Sequence, residues 1–171
     1  MAEVDLTGQL ATAMITLYRG DAKRIQHFMK VYAYARMIAL EEQVNRKLLQ
    51  TIEAAALVHD IGIHAAEKKY GSSVGKFQEQ EGPPIARAML LAVGYAPNVT
   101  ERICYLVGHH HTYTDIDGID YQILVEADFL VNVEEEHMDQ KKIRSVYEKI
   151  FQTETGKQYL TELCKLDATC W

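Results

Sequence analysis

Three consecutive histidines lie in the stretch LVGHHHTYTD, at residues 106–115. Imidazole ligates metal ions and transfers protons near neutral pH, but it is also an ordinary surface side chain. The triplet is notable because the whole chain has seven histidines. It gains chemical meaning only if metal-ligating side chains elsewhere in the chain can reach it.

Several ligating side chains share an apolar helical face with their neighbours. Apolar residues recur at spacings of three and four around each of the following: His27, His59, His110 and Asp128. A single histidine on such a face is more often hydrogen-bonded than metal-bound, but four residues in register favour a metal site. Asp60 and Asp128 would each need a partner if buried, because an unpaired buried carboxylate is strongly destabilising. A divalent cation supplies that partner.

The pair His59-Asp60, which closes the apolar run AAALV, is the sharpest single feature. Adjacent helical residues point about 100° apart, so a helix that ends there can turn both side chains onto one ion. Imidazole nitrogen combined with carboxylate oxygen suits manganese, iron, cobalt, nickel or zinc better than an all-oxygen calcium site does. The sequence therefore predicts a divalent transition-metal ion.

The elements that position these residues are helices, because helical periodicity runs through almost the whole chain and strict alternation is scarce. Asp21 is the predicted N-cap of one long helix. The predicted helices span about residues 5–18, 22–40, 46–60, 84–93, 98–111, 120–136, 140–152 and 157–166. The last two form a helical pair broken near Gly156. Residues 61–84 are predicted as a long connection, with Pro83 and Pro84 at the entry of the next helix.

Composition limits the class of protein. A chain of 171 residues with 48% hydrophobic and 25% charged residues fits one globular domain. The net charge of −6 argues against binding to polymeric nucleic acid. The three cysteines form no CxxC pair, which argues against a disulfide framework and a cysteine zinc site. No apolar run approaches the roughly 20 residues of a membrane span, and no signal peptide is evident, so we expect a cytoplasmic protein that does not bind membranes.

The order His27, His59-Asp60, Asp128 resembles that of the HD-domain superfamily of metal-dependent phosphohydrolases. Over about residues 20–135, four stretches are similar to its successive motifs: RIQHFMKVYAYA, AALVHDIG, ICYLVGHHH and LVEADFLVN. The resemblance implies an all-α bundle with the metal site in its core and these four residues as a mononuclear site. It also implies a single HD domain over residues 1–171, with a C-terminal helical extension at about residues 139–167.

Binuclear members of that superfamily carry further histidines between the HD pair and the last aspartate. By resemblance, His109 and His110 correspond to the later ones, whereas the earlier one is missing and Glu81 stands near its place. We therefore expect one tightly held metal ion and a weaker second one that His109, His110 and Glu81 would bind. His111 is expected to contact substrate or solvent.

The expected reaction is hydrolysis of a phosphate ester or anhydride of a small molecule, most plausibly a nucleotide, because a divalent ion polarises phosphoryl oxygens and activates water. Asp60, Arg24 and His110 are the expected catalytic residues. The resemblance supports Arg24 as a phosphate contact. Cations in residues 61–84 are further candidates for substrate binding, although a lysine of this kind is more often a solvated surface residue. They are Lys68, Lys69 and Lys76.

Three questions stay open at the level of the sequence. A binuclear iron oxygenase of the same superfamily is one alternative function, and a metal-stabilised binding or regulatory module is another. His64 is a candidate second-sphere residue of the metal. The aromatic stretch VYAYARM suits an interface between copies of the chain as well as it suits the core.

Overall fold

A computed structural model describes residues 4–166, which form nine α-helices and no β-strand within that range. The helices are α1 Thr7–Leu17, α2 Ala22–Glu41, α3 Arg46–Val58, α4 Ile63–Tyr70, α5 Gly75–Val93, α6 Pro97–Val107, α7 Ile119–Glu135, α8 Gln140–Lys149 and α9 Glu154–Cys164. The predicted all-α class is confirmed.

The core lies between α2, α3 and α7. Residues 51–58 of α3 are all buried, as are residues 120–131 of α7. Helix α2 packs against both of these helices, α1 and α6 cover α3, and α9 closes the other side of α7. Because these segments of α3 and α7 are buried on all sides, the ionisable side chains on them lie in the interior and not in solvent. Across residues 4–166, none of the helices has the length and apolar composition that a bilayer crossing requires.

Side-chain caps fix where several helices begin. Asp21 accepts a hydrogen bond from the backbone N–H of Arg24 at 3.3 Å, which confirms it as the predicted N-cap of α2. Asn45 caps α3 and Thr153 caps α9 in the same way, three residues before the bonded N–H. The cap of α2 places His27 on its second turn, facing α3 and α7.

The predicted long connection at residues 61–84 is wrong, because α4 and the first half of α5 occupy it. Pro83 and Pro84 lie inside α5 rather than at its entry, although a proline ring removes an N–H from the helical ladder. Packing favours the continuous helix. Gly62 and Gly82 lack side chains where the two segments meet, and a Cβ on Gly62 would lie 2.7 Å from the backbone nitrogen of Gly82.

Two predicted helices end earlier than expected, and both ends carry site residues. Helix α3 ends at Val58, so His59 and Asp60 lie in the turn that follows it. Helix α6 ends at Val107, so the histidine triplet also lies in a turn. The break before the last helix falls at residues 150–153, and Gly156 belongs to α9. The end of the predicted C-terminal extension, at about residue 167, lies outside the described residues.

Candidate metal centre

Four side chains from α2, α7 and the turn after α3 converge in the core. His27 Nε2 lies 3.3 Å from His59 Nε2, 3.3 Å from Asp60 Oδ2 and 3.2 Å from Asp128 Oδ1. His59 Nε2 lies 3.4 Å from the same Asp60 oxygen and 3.6 Å from that of Asp128. The structure thus brings together the four residues predicted as the mononuclear site: His27, His59, Asp60 and Asp128.

His110 adds a third imidazole to this cluster. Its Nε2 lies 3.2 Å from Asp60 Oδ1, the carboxylate oxygen that does not face His27. The side chain of His110 is fully buried, whereas that of Asp60 is 16% exposed. Asp60, His110 and His111 form a second group of three potential ligand atoms, all within 4.8 Å of one another. Asp60 therefore lies between two donor sets and offers one oxygen to each.

The donor chemistry of the cluster fits a metal ion. The Nδ1 atoms of His59 and His110 each donate to a backbone carbonyl oxygen three residues earlier, at 2.7 and 2.8 Å. In its neutral form each imidazole then has only a lone pair on Nε2. The lone pair of His59 faces His27 Nε2 and the oxygens of Asp60 and Asp128, and that of His110 faces Asp60. The carboxylate oxygens are also acceptors. A cation satisfies such a set, and mixed nitrogen and oxygen donors suit a transition metal.

The electrostatics of the cluster agree with this interpretation. Burial lowers the pKa of His27 and of His59, but Asp60 and Asp128 outweigh that effect, so both imidazole pKa values are raised above the ordinary value. Burial raises the pKa of the two carboxyls, but the imidazoles hold both values below the usual range. The carboxylates therefore remain ionised in the core, as ligands of a cation must be.

Tyr18, the residue that follows α1, supports the turn that carries His59 and Asp60. The Tyr18 hydroxyl donates to the backbone carbonyl of Asp60 at 2.7 Å. The Tyr18 ring stacks on the His64 imidazole with centroids 4.2 Å apart, and His64 Nε2 lies 2.9 Å from Asp21 Oδ2. His64 thus contacts the support of the turn rather than the ligands themselves.

Arg24 lies near this support, and its guanidinium is already paired. One nitrogen donates to Asp21 at 3.0 Å and to Glu67 at 3.2 Å, and a second also donates to Glu67. Glu67 belongs to α4, within the segment predicted as a long connection. An anion that binds Arg24 must therefore compete with Glu67.

The two remaining candidate ligands lie apart from the cluster. The ring of His109 stacks on Tyr105 with centroids 4.0 Å apart, and its Nδ1 bonds the carbonyl of the same residue. Glu81 accepts hydrogen bonds from Lys69 at 2.8 Å and from the Tyr70 hydroxyl at 2.9 Å. These positions do not agree with the predicted ligand roles of His109 and Glu81, because each side chain is bonded to other residues.

Of the candidate substrate contacts, His111 lies at the cluster and the lysines lie on the surface. His111 lies beside His110, and its Nε2 is 3.2 Å from Gln78 Oε1. Burial and the neighbouring His110 lower the pKa of His111 to about 4. Lys68 and Lys76 are exposed on α4 and α5, and Lys69 pairs with Glu81.

Two acidic residues at the site were not predicted from the sequence. Glu135 contacts His27 Nδ1 at 2.7 Å. Glu79 accepts from the backbone N–H of His111 and the hydroxyl of Thr112, each at 3.0 Å, and so fixes the turn that carries the triplet. Glu135 lies seven residues after Asp128 on the same face of α7. This spacing was the sequence signal that could have placed Glu135 at the site. It was obscured because three glutamates occur in a row at residues 134–136.

Comparison with known proteins shows the family and the fold of the chain. A family model for the HD domain matches residues 24–168, and the chain belongs to that family. The crystal structure of a predicted HD superfamily hydrolase from an uncultured Thermotogales bacterium is similar in fold, with a TM-score of 0.66 and 22% sequence identity. The match covers 92% of this chain and 84% of that one. No curated protein matches the sequence. The expected HD-type helical fold is confirmed.

Proposed function

We propose that the protein is a metal-dependent phosphohydrolase that cleaves a phosphate ester or anhydride of a small molecule, with nucleotides as the favoured substrate class. The observation that carries the proposal is the convergence of three imidazoles and two carboxylates, all acceptors, at the His59-Asp60 turn. The exposed fraction of Asp60 gives the cluster contact with solvent and therefore with a substrate.

His27, His59, Asp60 and Asp128 would hold the ion. When bound, a divalent transition metal polarises a phosphoryl oxygen and lowers the pKa of water to about 7. Asp60 keeps one oxygen directed at His110, whose ring is held by its Nδ1–H bond to the carbonyl of Val107. That bond directs His110 Nε2 towards Asp60. From there His110 can carry the proton that the leaving oxygen of the substrate takes up.

Phosphate oxygens also need cationic partners. Arg24 is the proposed phosphate ligand, and it becomes available when substrate displaces Glu67. Lys68 on α4 and Lys76 on α5 are both exposed and are further proposed phosphate contacts. Lys69 is a weaker candidate because Glu81 already neutralises it.

The test is an assay of phosphate release from a panel of nucleotides and simple phosphate esters, with chelator-treated protein reloaded with Mn²⁺, Fe²⁺, Co²⁺, Ni²⁺ or Zn²⁺. We expect activity that requires metal and that disappears in Asp60→Asn, while circular dichroism remains that of the folded chain. His109→Gln is the matched control and should remain active. A metal-loaded protein that is inert across the panel overturns the proposal and favours a binding or regulatory module. Two irons per chain with oxygen consumption would favour the oxygenase.

A further inference from the structure

One imidazole is held at both nitrogens by carboxylates from a single helix. His27 Nε2 lies 3.2 Å from Asp128 Oδ1, and His27 Nδ1 lies 2.7 Å from Glu135 Oε2. Asp128 and Glu135 are seven residues apart on α7 and therefore share a face. That face packs against α2, which carries His27.

The contact with Glu135 determines which nitrogen of His27 carries the proton. An ionised carboxylate only accepts hydrogen bonds, so the proton of a neutral ring lies on Nδ1. Nε2 then has a free lone pair directed at His59, Asp60 and Asp128. This is the form of imidazole that ligates a metal through Nε2.

His59 and His110 obtain the same tautomer in a different way. Each donates Nδ1–H to a backbone carbonyl three residues earlier in its own segment. That carbonyl belongs to the backbone and is neutral, so this hydrogen bond does not depend on neighbouring side chains. Among these three imidazoles, His27 is the one whose orientation depends on a side chain of another helix, and the one whose partner is anionic.

Glu135 is itself fixed by a cation. Lys30 Nζ lies 2.6 Å from Glu135 Oε1, the oxygen that does not contact His27. Lys30 follows His27 by three residues on α2, so the two side chains lie on one face and meet the same carboxylate. The Glu135 side chain is 18% exposed and that of Lys30 is 50% exposed. The order Lys30, Glu135, His27 thus leads from the surface to the metal centre.

We propose that Glu135 is a positioning residue of the metal centre, which holds His27 in the Nδ1–H tautomer and increases the basicity of Nε2. The inference rests on the metal site of the proposed function but does not depend on the reaction or the substrate. A carboxylate on the second nitrogen of a ligating histidine raises the basicity of that ligand, and loss of such a partner weakens metal binding about 10–100-fold.

The experiment is a titration of chelator-treated protein with Co²⁺, followed by the visible absorption of the bound ion. Glu135→Leu removes both the hydrogen bond and the charge, and we expect a loss of affinity of about 10–100-fold together with a changed absorption spectrum. Glu135→Gln retains an amide oxygen that can accept from Nδ1–H, so its affinity should lie between that of Glu135→Leu and that of the unmodified protein. Glu136→Gln, an exposed neighbour paired with Lys142, is the matched control.

The thermal midpoint of the metal-free variants separates positioning from folding. A residue that merely stabilises the fold would lower this midpoint and leave Co²⁺ affinity and spectrum unchanged. Affinity of Glu135→Leu within about twofold of the unmodified protein, a difference far below the 10–100-fold expected, overturns the inference and leaves the proposed function intact. If the unmodified protein itself binds no Co²⁺, Zn²⁺ or Mn²⁺, both proposals fail.

Discussion

His110 Nε2 lies 3.2 Å from Asp60 Oδ1, whereas the ring of His109, one residue earlier, stacks outside the cluster on Tyr105. The two neighbours diverge because α6 ends at Val107 and the triplet lies in a turn. His109 Nδ1 bonds back to the carbonyl of Tyr105, which keeps its ring on α6. Of these two adjacent histidines, only His110 lies in the candidate metal centre.

This divergence predicts different effects of two similar substitutions. His110→Gln should weaken metal binding about tenfold or more, because Asp60 loses the imidazole beside its second oxygen. His109→Gln should leave metal binding unchanged. Metal content per chain and the Co²⁺ dissociation constant measure both effects. Equal losses in the two variants would contradict the geometry.

Removal of the metal should destabilise the chain, because the two buried carboxylates then lose the ion and keep only the imidazoles as partners. A ligand at 100 times its dissociation constant stabilises the folded state by about 2.7 kcal/mol. We therefore expect the thermal midpoint to fall on chelation and to rise again with added metal. In Asp128→Asn the rise should be lost, since the amide is isosteric but uncharged. A midpoint that responds to metal equally in both proteins would place the ion elsewhere.

Helical periodicity predicted most of the fold, because the apolar residues that form the buried faces of α2, α3 and α7 recur at helical spacing within each segment. It did not predict α4 or the first half of α5. The prolines at 83 and 84 indicated a helix start. Inside α5 they remove backbone N–H groups from the helix, but packing against other segments offsets that loss, and such packing cannot be seen in the local sequence. The contact of Gly62 with Gly82 joins segments twenty residues apart and leaves no periodic signal.

The candidate site shows the same limit. His27, His59, Asp60 and Asp128 were predictable because each belongs to an apolar stripe or closes one. Glu135 and Glu79 were not, since each reaches its histidine from a helix end or from a segment interpreted as loop. Glu81 and His109 were predicted as ligands from their place in the sequence. Glu81 instead pairs with Lys69 of α4, and because α6 ends at Val107, His109 stacks on Tyr105 while His110 turns inward.

Gly62→Ala should be strongly destabilising although the backbone of Gly62 suits any residue, with φ of −81°. A Cβ there would lie 2.6 Å from the carbonyl oxygen of Gln78 and 2.9 Å from Cα of Gly82, so α5 would have to move. We expect a loss of about 3 kcal/mol in the free energy of unfolding, measured by urea denaturation.

Gly8→Ala is the matched control for this prediction. Gly8 lies in α1, and a Cβ there would have no neighbour within 4 Å. Alanine should stabilise the helix by about 0.5–1 kcal/mol. Similar effects of the two substitutions would show that helix propensity, rather than the approach of α5, determines the result at Gly62.

Glu126 should be essential for the attachment of α9. This fully buried carboxylate accepts hydrogen bonds from Gln122 and from the backbone N–H groups of Gln152 and Thr153, at 2.6–2.9 Å. Glu126→Leu leaves the buried N–H of Thr153 without this acceptor, and we expect a loss of about 3 kcal/mol in unfolding free energy. Glu134→Leu, at an exposed position of the same helix, should change it by less than about 0.5 kcal/mol. Equal losses would assign the effect to the helix rather than to the buried carboxylate.

The pairing of Arg24 with Glu67 predicts that one substitution improves substrate binding. Their side chains are 31% and 39% exposed, and such partly exposed pairs contribute about 0.2–1 kcal/mol. Glu67→Gln releases the guanidinium for phosphate and should lower the KM of a phosphorylated substrate by up to about fivefold. Arg24→Gln should raise it.

Glu101→Gln is the control for a general change in surface charge, because it removes the partner of Arg87 in an exposed ion pair between α5 and α6. It should leave KM unchanged, since that pair lies on other helices. Steady-state kinetics with the best substrate of the panel decides the matter. If both Glu67→Gln and Arg24→Gln retain the KM of the unmodified protein, Arg24 supports the turn through Asp21 and His64 and does not touch the phosphate.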